Sequence, residues 1–353
     1  MTPVEAIAQV STGAIRHNVQ VMRDRVAPAE LLAIVKDNAY GHGLEQVLEV
    51  LVGEGVRRFG TLDLDGAFRV RSLVPDAMVF AWVFDSHSEL GAAVRAGIDL
   101  GVTDAATLER VAQAAGDLTA RIHLKVDSGL HRAGVLPDRW SEFTERAAEL
   151  QRAGRVSVYG LWTHLAEASD EDDSRSIAEY ESAVQLAREH GLDSATRHVA
   201  ASAAAYARAD ARFDLVRIGA FLYGIAPGGG VGPGQLGLRP AMTVRDRVSA
   251  VRVDAGRTLA EIGYGGVLGL LSDAAGAVSV AIGGVRHPIT AVEPLRTIID
   301  VTGSEVSVGD QVTLFGDGSA GEATTQEWAD AMGTIGEELV LRVSSRVPRH
   351  YVD

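Results

Sequence analysis

The segment LLAIVKDNAYGHG, from Leu31 to Gly43, places one lysine, Lys36, directly after five apolar residues. Such a run predicts a fully buried strand, whose end is a rigid place to mount a reactive amine. A lysine is rarely buried unless its charge is paired or suppressed. An amine whose pKa is lowered in this way forms Schiff bases with carbonyl compounds. A lysine that simply leaves a strand into solvent is the ordinary alternative, and the polar residues downstream favour the reactive amine.

Further polar residues follow other apolar runs along the chain. Taken singly, each is better explained as a core histidine, a snorkelling lysine, an ion-pair partner or a packed tyrosine. At the ends of successive strands they would face one shared pocket, and this coincidence favours a site. The residues are Tyr40, Lys125, Asp127, Arg132, Thr163, His164, His198, Ser202, Arg217, Gly219 and Tyr223.

The last members of this set indicate an anion site beside an arginine. Ser202 and the small turn after Arg217 could bind a phosphate through a hydroxyl and backbone N–H groups. With the amine of Lys36, this combination suggests pyridoxal phosphate. An arginine facing a pyridine nitrogen keeps its own proton, so the ring remains unprotonated and is a weaker electron sink. That arrangement suits proton removal and return at Cα, which is racemisation, better than elimination.

Eight short apolar runs alternate with Ala/Glu/Arg-rich segments of helical character over about two thirds of the chain. This alternation predicts a (β/α)8 barrel, although an open doubly wound sheet would also alternate. No glycine-rich dinucleotide motif follows the first strand, which removes the main support for the open sheet. The runs are Leu31–Val35, Phe59–Leu62, Met78–Val83, Leu100–Val102, Ile122–Val126, Val158–Trp162, His198–Ala201 and Leu215–Ile218.

The composition changes after Tyr223. A Gly/Pro-rich stretch, Gly224 to Pro240, marks a loop or boundary. Short Val/Ile-rich segments separated by turn residues follow it and predict a mostly β C-terminal domain. We therefore predict a cofactor-binding barrel over 8–230 and a β-rich domain over 231–353, with residues 1–7 forming a strand that pairs with the second domain.

The overall composition excludes several classes of function. The chain has 353 residues, a net charge of −14 and no cysteine. Its acidity and the lack of a basic block argue against binding nucleic acid or anionic membranes. Disulfides, thiolate metal sites and a cysteine nucleophile are excluded, and we expect no metal. Without an evident signal peptide or spanning segment, a cytoplasmic protein is the default expectation.

Several motifs, in order, resemble those of the alanine racemase family. They are AIVKDNAYGHG, KVDSGLHRAG, THLAEASD, HVAASAA, VRIGAFLYG and the terminal RVPRHY. The resemblance implies a barrel plus β domain, pyridoxal phosphate as cofactor and a homodimer whose active site is shared between subunits. It implies the following roles: Lys36 as cofactor lysine and one of two bases, Tyr40, Ser202, Gly219 and Ala220 near the phosphate, Arg132 at the phenolate, Arg217 at the pyridine nitrogen, His164 behind these groups, and Lys125 as a frequently carbamylated lysine.

The C-terminal domain departs from the family pattern, which has a second base, a tyrosine, in a Val-Ser-Tyr-Gly segment and then a Gly-Tyr-Ala-Asp-Gly motif. Only AGRTLAEIGYGGVLGLLSD remains here. Tyr264 could be the catalytic tyrosine, or Glu261 could occupy its place with about twenty residues missing, a deletion of loop size. The second alignment is slightly favoured. The Met-Asp-Gln segment is also lost, Glu337 replaces a phosphate-contacting tyrosine, and Ala201 replaces an asparagine.

The leading hypothesis is racemisation of a small amino acid, L-alanine to D-alanine, by two bases on opposite faces of the substrate, as in D-alanine biosynthesis. A pyridoxal enzyme of altered substrate or reaction is one alternative. A cofactor-binding relative without racemase activity, acting as a carrier or regulator, is another. A lysine Schiff-base lyase without cofactor would leave Arg217 and the phosphate turn unexplained.

Overall fold

The computed structural model describes residues 5–193 and 195–353. The chain forms two compact units. One contains residues 22–37 and 52–219, and the other contains the described residues up to Val21 together with 38–51 and 220–353. Strand β1 (Ile7–Ser11) belongs to the second unit, and of the predicted pairing segment 1–7, residues 1–4 lie outside the described residues.

Eight parallel strands form the barrel of the first unit, in the order β8-β7-β6-β5-β4-β3-β2-β9. Backbone bonds from Asp214 N to Arg197 O and from Arg217 N to Ala200 O join its two edges. The predicted (β/α)8 barrel is confirmed, and every predicted apolar run overlaps one strand. The strands are β2 (Glu30–Ile34), β3 (Arg58–Thr61), β4 (Met78–Ala81), β5 (Ile98–Val102), β6 (Ala120–Lys125), β7 (Val156–Trp162), β8 (Thr196–His198) and β9 (Leu215–Ile218).

Helices alternate with these strands, and short polar side chains fix where several of them begin. Asp63 Oδ1 accepts a hydrogen bond from Gly66 N, Asp104 Oδ1 from Thr107 N, and Ser169 Oγ from Asp172 N, so each caps the helix that follows. The helices are α1 (Thr12–Val26), α2 (Lys36–Tyr40), α3 (Leu44–Gly53), α4 (Leu64–Leu73), α5 (Leu90–Arg95), α6 (Ala105–Ala114), α7 (Pro137–Arg152), α8 (Asp170–Glu189) and α9 (Ser202–Ala207).

The second unit is built on a sheet whose pairings return to their starting strand. From β10 the pairings pass through β11, β14, β13, β12 and β15 back to β10, all antiparallel, and β10 also pairs with β1. The predicted mostly β C-terminal domain is thus confirmed, while the exact boundaries 8–230 and 231–353 stay predictions. The strands are β10 (Met242–Asp254), β11 (Arg257–Ile262), β12 (Ser279–Ile282), β13 (Val285–Val292), β14 (Thr297–Asp300), β15 (Gln311–Phe315) and β16 (Arg349–Val352).

Two helices, α10 (Thr325–Met332) and α11 (Gly336–Arg342), interrupt the β domain, where no helix was predicted. A reciprocal cap begins α10: Thr324 Oγ1 accepts from Glu327 N, and Glu327 Oε2 accepts from Thr324 N. Trp328 anchors this helix, because its ring is 1% exposed. No helix among the described residues combines the length and apolar character needed to cross a membrane.

Candidate active site

Lys36 follows β2 and begins a turn of left-handed helix. The φ angles of Asp37, Asn38, Ala39 and Tyr40 lie between 51° and 57°. This conformation costs an L-residue about 1–2 kcal/mol, so the surroundings must enforce it. One support is Asn38 Oδ1, which accepts a hydrogen bond from Leu44 N at 3.0 Å. The Lys36 side chain is 32% exposed, and its Nζ lies 3.9 Å from Asp37 Oδ2.

Lys125 ends β6 and is almost fully buried. Its Nζ lies 4.8 Å from the centroid of the Trp162 ring, a cation–π contact. Burial lowers the pKa of Lys125 to about 8, with Arg217 and Arg132 adding to the effect and Asp127 opposing it. A larger fraction of this amine is therefore neutral near pH 7 than for an exposed lysine, which makes it a better nucleophile.

Arg217, on β9, is buried and surrounded by acceptors. Its Nη1 donates to the carbonyl oxygen and Nδ1 of His198, and its Nη2 donates to His164 Nδ1 and to the carbonyl oxygens of Thr163 and Val199. Among the described residues no acceptor is paired with Nε, so this N–H is the guanidinium donor left for a ligand. Burial lowers the pKa of Arg217 to about 10, which still leaves it charged near pH 7.

Four cationic side chains lie near enough to His164 to affect its pKa. Burial is the largest cause, followed by Arg217, Arg132, Lys125 and Lys36, and together they lower the pKa of His164 to about 3. Arg132 itself lies on the exposed stretch after β6. The structure therefore brings five of the predicted residues together at the carboxyl ends of the barrel strands, around a neutral imidazole. Such a concentration of positive charge suits an anionic ligand.

Ser202 and Gly219, which were predicted to belong to an anion site, are hydrogen bonded to each other in the first unit. Ser202 begins α9, and its Oγ accepts a hydrogen bond from Gly219 N at 3.0 Å. A hydroxyl and a backbone N–H thus converge on the end of β9, two residues after Arg217. Ala220 follows and begins a single 3₁₀ turn, Ala220–Tyr223.

In the second unit, Tyr40 packs against Tyr223, with ring centroids 5.0 Å apart. The ring of His42 stacks on Tyr223 at 4.7 Å, and the hydroxyl of Tyr351 donates to His42 O at 3.0 Å. Arg349 Nε also donates to the backbone oxygen of Gly41 at 3.0 Å. The segment that follows Lys36 is thereby held by side chains of the last strand, β16.

The two candidates for a second base both lie in the second unit, at and just after β11. Glu261 is bound on both oxygens: Oε1 lies 3.2 Å from Arg252 Nε, and Oε2 lies 3.0 Å from Arg296 Nη1. Tyr264 is 2% exposed. Burial raises the pKa of its phenol, with Asp246 adding to this effect and Arg349 opposing it. The segment AGRT begins with a tight turn, since Asp254 pairs directly with Arg257 and only Ala255 and Gly256 connect β10 to β11.

The polar groups of the first unit fit pyridoxal phosphate. An accessible amine, an arginine N–H left by its neighbours, a serine hydroxyl and a net positive surrounding match the aldehyde, ring nitrogen and phosphate of that molecule. The fit rests on Lys36, Arg217 and Ser202, whose Oγ is held by Gly219 N. Glu337, which the resemblance predicts to stand in place of a phosphate-contacting tyrosine, lies in the first turn of α11 in the second unit.

We expect acid to destabilise the protein through its buried histidines. Burial lowers the pKa of His42 to about 4 and that of His164 to about 3. Between pH 6.5 and these values the unfolded chain binds protons that the folded chain does not, so the free energy of unfolding falls as pH falls, by about 1.4 kcal/mol per pH unit for each histidine. Urea unfolding at pH 7.5 and pH 5 measures this slope. His42→Gln should reduce it, and His87→Gln, at an exposed site, should not; equal slopes in both variants would contradict the assignment.

Two buried polar residues of the barrel, Asp99 and His123, were not singled out from the sequence. Asp99 lies in β5, every residue of which is buried, and His123 lies in β6. Both are at most 1% exposed, and they are hydrogen bonded to each other. A charged residue inside a wholly apolar strand was the available signal, because carboxylates are rarely buried without a partner.

Comparison with known proteins agrees with this architecture. The family model described as alanine racemase, N-terminal domain, matches residues 10–227, and that of the C-terminal domain matches residues 247–351. The chain is 37% identical to an alanine racemase of Salinispora tropica over 98% of both chains. It is 36% identical to an alanine racemase of Thermobifida fusca, again over 98% of both.

Solved structures show the same fold. An alanine racemase from a D-cycloserine-producing Streptomyces lavendulae matches with a TM-score of 0.95 and 31% identity, covering 100% of this chain and 98% of the other. An alanine racemase from Corynebacterium glutamicum matches with a TM-score of 0.90 and 32% identity, covering 99% of this chain and 100% of the other.

Proposed function

The chain belongs to the alanine racemase family, and we propose that Lys36 and the cationic cluster around His164 carry the reaction of this family, the pyridoxal-phosphate-dependent racemisation of alanine. Full-length similarity to named alanine racemases supports the activity. The observation that carries the assignment of the site is the buried Arg217, hydrogen bonded to His164, whose pKa is also lowered by Arg132, Lys125 and Lys36.

In this proposal residues of the first unit would hold the cofactor at three points. Lys36 would bind its aldehyde carbon, the Nε–H of Arg217 would donate to its ring nitrogen, and the hydroxyl of Ser202 would donate to its phosphate, beside the Gly219 N–H that Ser202 Oγ accepts. Arg132 would contact the phenolate, and the hydrogen bond between Arg217 Nη2 and His164 Nδ1 would help to hold the guanidinium in place. The family pattern also implies roles for Ala220 and Tyr40 at the phosphate, and both residues belong to the second unit. When bound, pyridoxal phosphate stabilises negative charge at the Cα of an attached amino acid.

The arginine at the ring nitrogen determines which reaction is favoured. A guanidinium near pKa 10 does not give up its proton at neutral pH, so a pyridine nitrogen facing Arg217 would stay unprotonated. A cofactor held in this way would be a weaker electron sink, which would favour return of a proton to Cα over elimination. Lys36 then takes the proton from, or returns it to, one face of Cα, and a second group does the same on the other face.

The second group is proposed to come from the partner subunit of a homodimer, as the family implies. Tyr264 is the better candidate, because a neutral phenol has a proton to give, whereas both oxygens of Glu261 are held by arginines. Tyr264 is 2% exposed in the single chain, so action across subunits requires assembly to open this side chain. We also propose a cytoplasmic location, which cell fractionation tests.

A second candidate function is cofactor binding without racemisation. It is favoured by the two-residue turn between β10 and β11 and by the ion pairs of Glu261, because a short turn and a carboxylate already held by two arginines leave fewer groups to act as the second base. Such a protein would carry pyridoxal phosphate or act as a regulator.

One assay separates the two functions. Purified protein is incubated with L-alanine in deuterated water, with and without added pyridoxal phosphate, and Cα exchange and optical rotation are followed. We expect exchange together with inversion, dependent on the cofactor. Exchange without inversion would show that the second group is missing, and a bound cofactor without any exchange would support the carrier. A protein that binds no pyridoxal phosphate would contradict both functions.

A further inference from the structure

A line of buried polar side chains crosses the barrel of the first unit, from β5 to β9. Asp99 Oδ2 lies 3.3 Å from His123 Nε2, and His123 Nδ1 lies 2.8 Å from His198 Nε2. His198 Nδ1 in turn lies 3.2 Å from Arg217 Nη1. Both imidazole rings are fully buried, and Asp99 is 1% exposed. The cofactor contacts proposed above make no use of the carboxylate or of the His123 ring.

The chemistry of the groups fixes the direction of every hydrogen bond in this line. A guanidinium can only donate, so Nδ1 of His198 must accept and its proton must be on Nε2. That proton can then be donated only to His123 Nδ1, which places the His123 proton on Nε2. This proton is donated to Asp99, a carboxylate that can only accept. One tautomer of each ring satisfies all three bonds.

Packing holds the two rings in place. The ring of Phe80 lies 4.5 Å from that of His123, and the ring of Trp162 stacks on His198 at 5.7 Å with an interplanar angle of 4°. Gly160 leaves the space that His123 occupies, because a Cβ at this position would lie 2.2 Å from His123 Nδ1. Burial also lowers the pKa of both histidines, which keeps them neutral.

Asp99 is the only charged acceptor in the line, and Arg121 holds it at the outer end. Arg121 Nη2 donates to Asp99 Oδ2 at 2.8 Å, and its guanidinium lies 4.2 Å from the centroid of the Tyr159 ring. The Arg121 side chain is 45% exposed, so the line starts at the surface of the unit. Asp99 is therefore the end of the line that only accepts hydrogen bonds, and Arg217 is the end that only donates them.

We propose that Asp99, His123 and His198 are positioning residues that hold Arg217 in one orientation, with its Nε–H free to meet a pyridine nitrogen; this inference rests on the proposed role of Arg217. Without the Asp99 acceptor, His123 Nε2–H would be a buried donor that has lost its partner, which is costly. If the His123 proton moved to Nδ1 instead, this N–H would face the Nε2–H of His198. If the His198 proton then moved to Nδ1, it would face the N–H of Arg217 Nη1. The loss is thus transmitted along the line to Arg217.

The tautomers can be read directly in the unmodified holoenzyme. Protein labelled with ¹⁵N in its histidines gives two-bond ¹H–¹⁵N correlations that show which ring nitrogen carries the proton. We expect His123 and His198 both to carry it on Nε2, with assignments from His123→Gln and His198→Gln spectra. A proton on Nδ1 of either ring, or a doubly protonated ring at pH 7.5, would overturn the proposal.

Variants of Asp99 test whether the line acts on Arg217. Asp99→Ala should lower kcat roughly ten- to a hundredfold, the effect of leaving a buried donor unpaired, while KM for alanine changes much less. It should also shift the pH dependence of the absorption of the bound cofactor. Asp99→Asn keeps an acceptor and should restore most of kcat, and Asp117→Ala, at an exposed site of the same unit, should match the wild type. An Asp99→Ala enzyme with wild-type kcat and absorption profile would refute the inference.

The outcomes distinguish this inference from the proposed function. If the wild-type protein binds no pyridoxal phosphate, the proposed function fails, and the proposed role of the line fails with it. If the wild type binds the cofactor and racemises alanine, the tautomers and the Asp99 variants decide the inference alone. Should Asp99→Ala not fold, the tautomer measurement on the wild type still decides it.

Discussion

Replacement of Lys36 by alanine should abolish the covalent attachment of pyridoxal phosphate and reduce racemisation of alanine by at least about 10⁴-fold, because in the proposed site this one side chain serves as both attachment point and base. The chain offers an unusually clear control, since it contains two lysines in all, Lys36 and Lys125, against thirty-one arginines. Lys125→Ala removes the other amine and should leave attachment intact while weakening activity.

The measurement is borohydride reduction of the holoenzyme followed by peptide mapping by mass spectrometry. Reduction makes the bond between lysine and cofactor permanent, so the added mass should lie on the peptide that contains Lys36. Free cofactor lost on dialysis of Lys36→Ala gives a second readout. Attachment that persists in Lys36→Ala and disappears in Lys125→Ala would reverse the assignment of the two lysines.

Tyr264→Phe should have the next largest effect, a loss of about 10²–10⁴-fold in racemisation. The substitution removes the phenol proposed to give a proton to the face of Cα opposite Lys36. Exchange of the Cα hydrogen of one enantiomer should continue, since Lys36 is untouched. Glu261→Gln is the comparison: its two arginine partners suggest a structural role in joining β10, β11 and the 293–296 turn. We expect Glu261→Gln to lower the free energy of unfolding while the folded enzyme still racemises alanine. The reverse result would assign the second face to Glu261.

Mixing the two inactive variants tests whether subunits share a site. In a dimer of Lys36→Ala with Tyr264→Phe, a shared site would leave one of the two centres with both native residues. Statistical reassociation should then restore roughly a quarter of wild-type activity. No recovery, with hybrids detected by native mass spectrometry, would place both groups in one subunit.

The barrel could be predicted from the sequence because its signals are local. Each apolar run, such as Leu31–Val35 or Val158–Trp162, coincides with one strand, since strands buried on both faces need no partner to reveal them. The helices α10 and α11 were missed because they are short and contain few periodic apolar residues. The left-handed turn after Lys36 was also beyond sequence patterns, because Ala39 and Tyr40 do not favour positive φ.

The candidate site was predictable to the extent that strand ends in a barrel converge. Lys36, Lys125, His164 and Arg217 each follow or end a strand, so the fold alone brings them together. Their protonation could not be foreseen, since it depends on neighbours from other strands: the pKa of Lys125 is lowered by burial and by Arg217, ninety-two residues away in the chain. The charge of Asp99 inside a buried strand was visible in the sequence, but its partners His123 and Arg121 were not, because they come from β6.

The pairing of β1 has a consequence for the order in which the protein can be built during synthesis. This strand lies between β10 and β16, and the hydroxyl of Thr12 just after it donates to Val352 O, 340 residues later in the chain. Barrel strands, by contrast, mostly pair with the next strand to emerge from the ribosome. The buried Ala8 and Val10 of β1 therefore lack a partner strand on the nascent chain until β10 is made, and the second partner, β16, comes only at the end of the chain; an unpaired apolar strand of this kind is a target for chaperones.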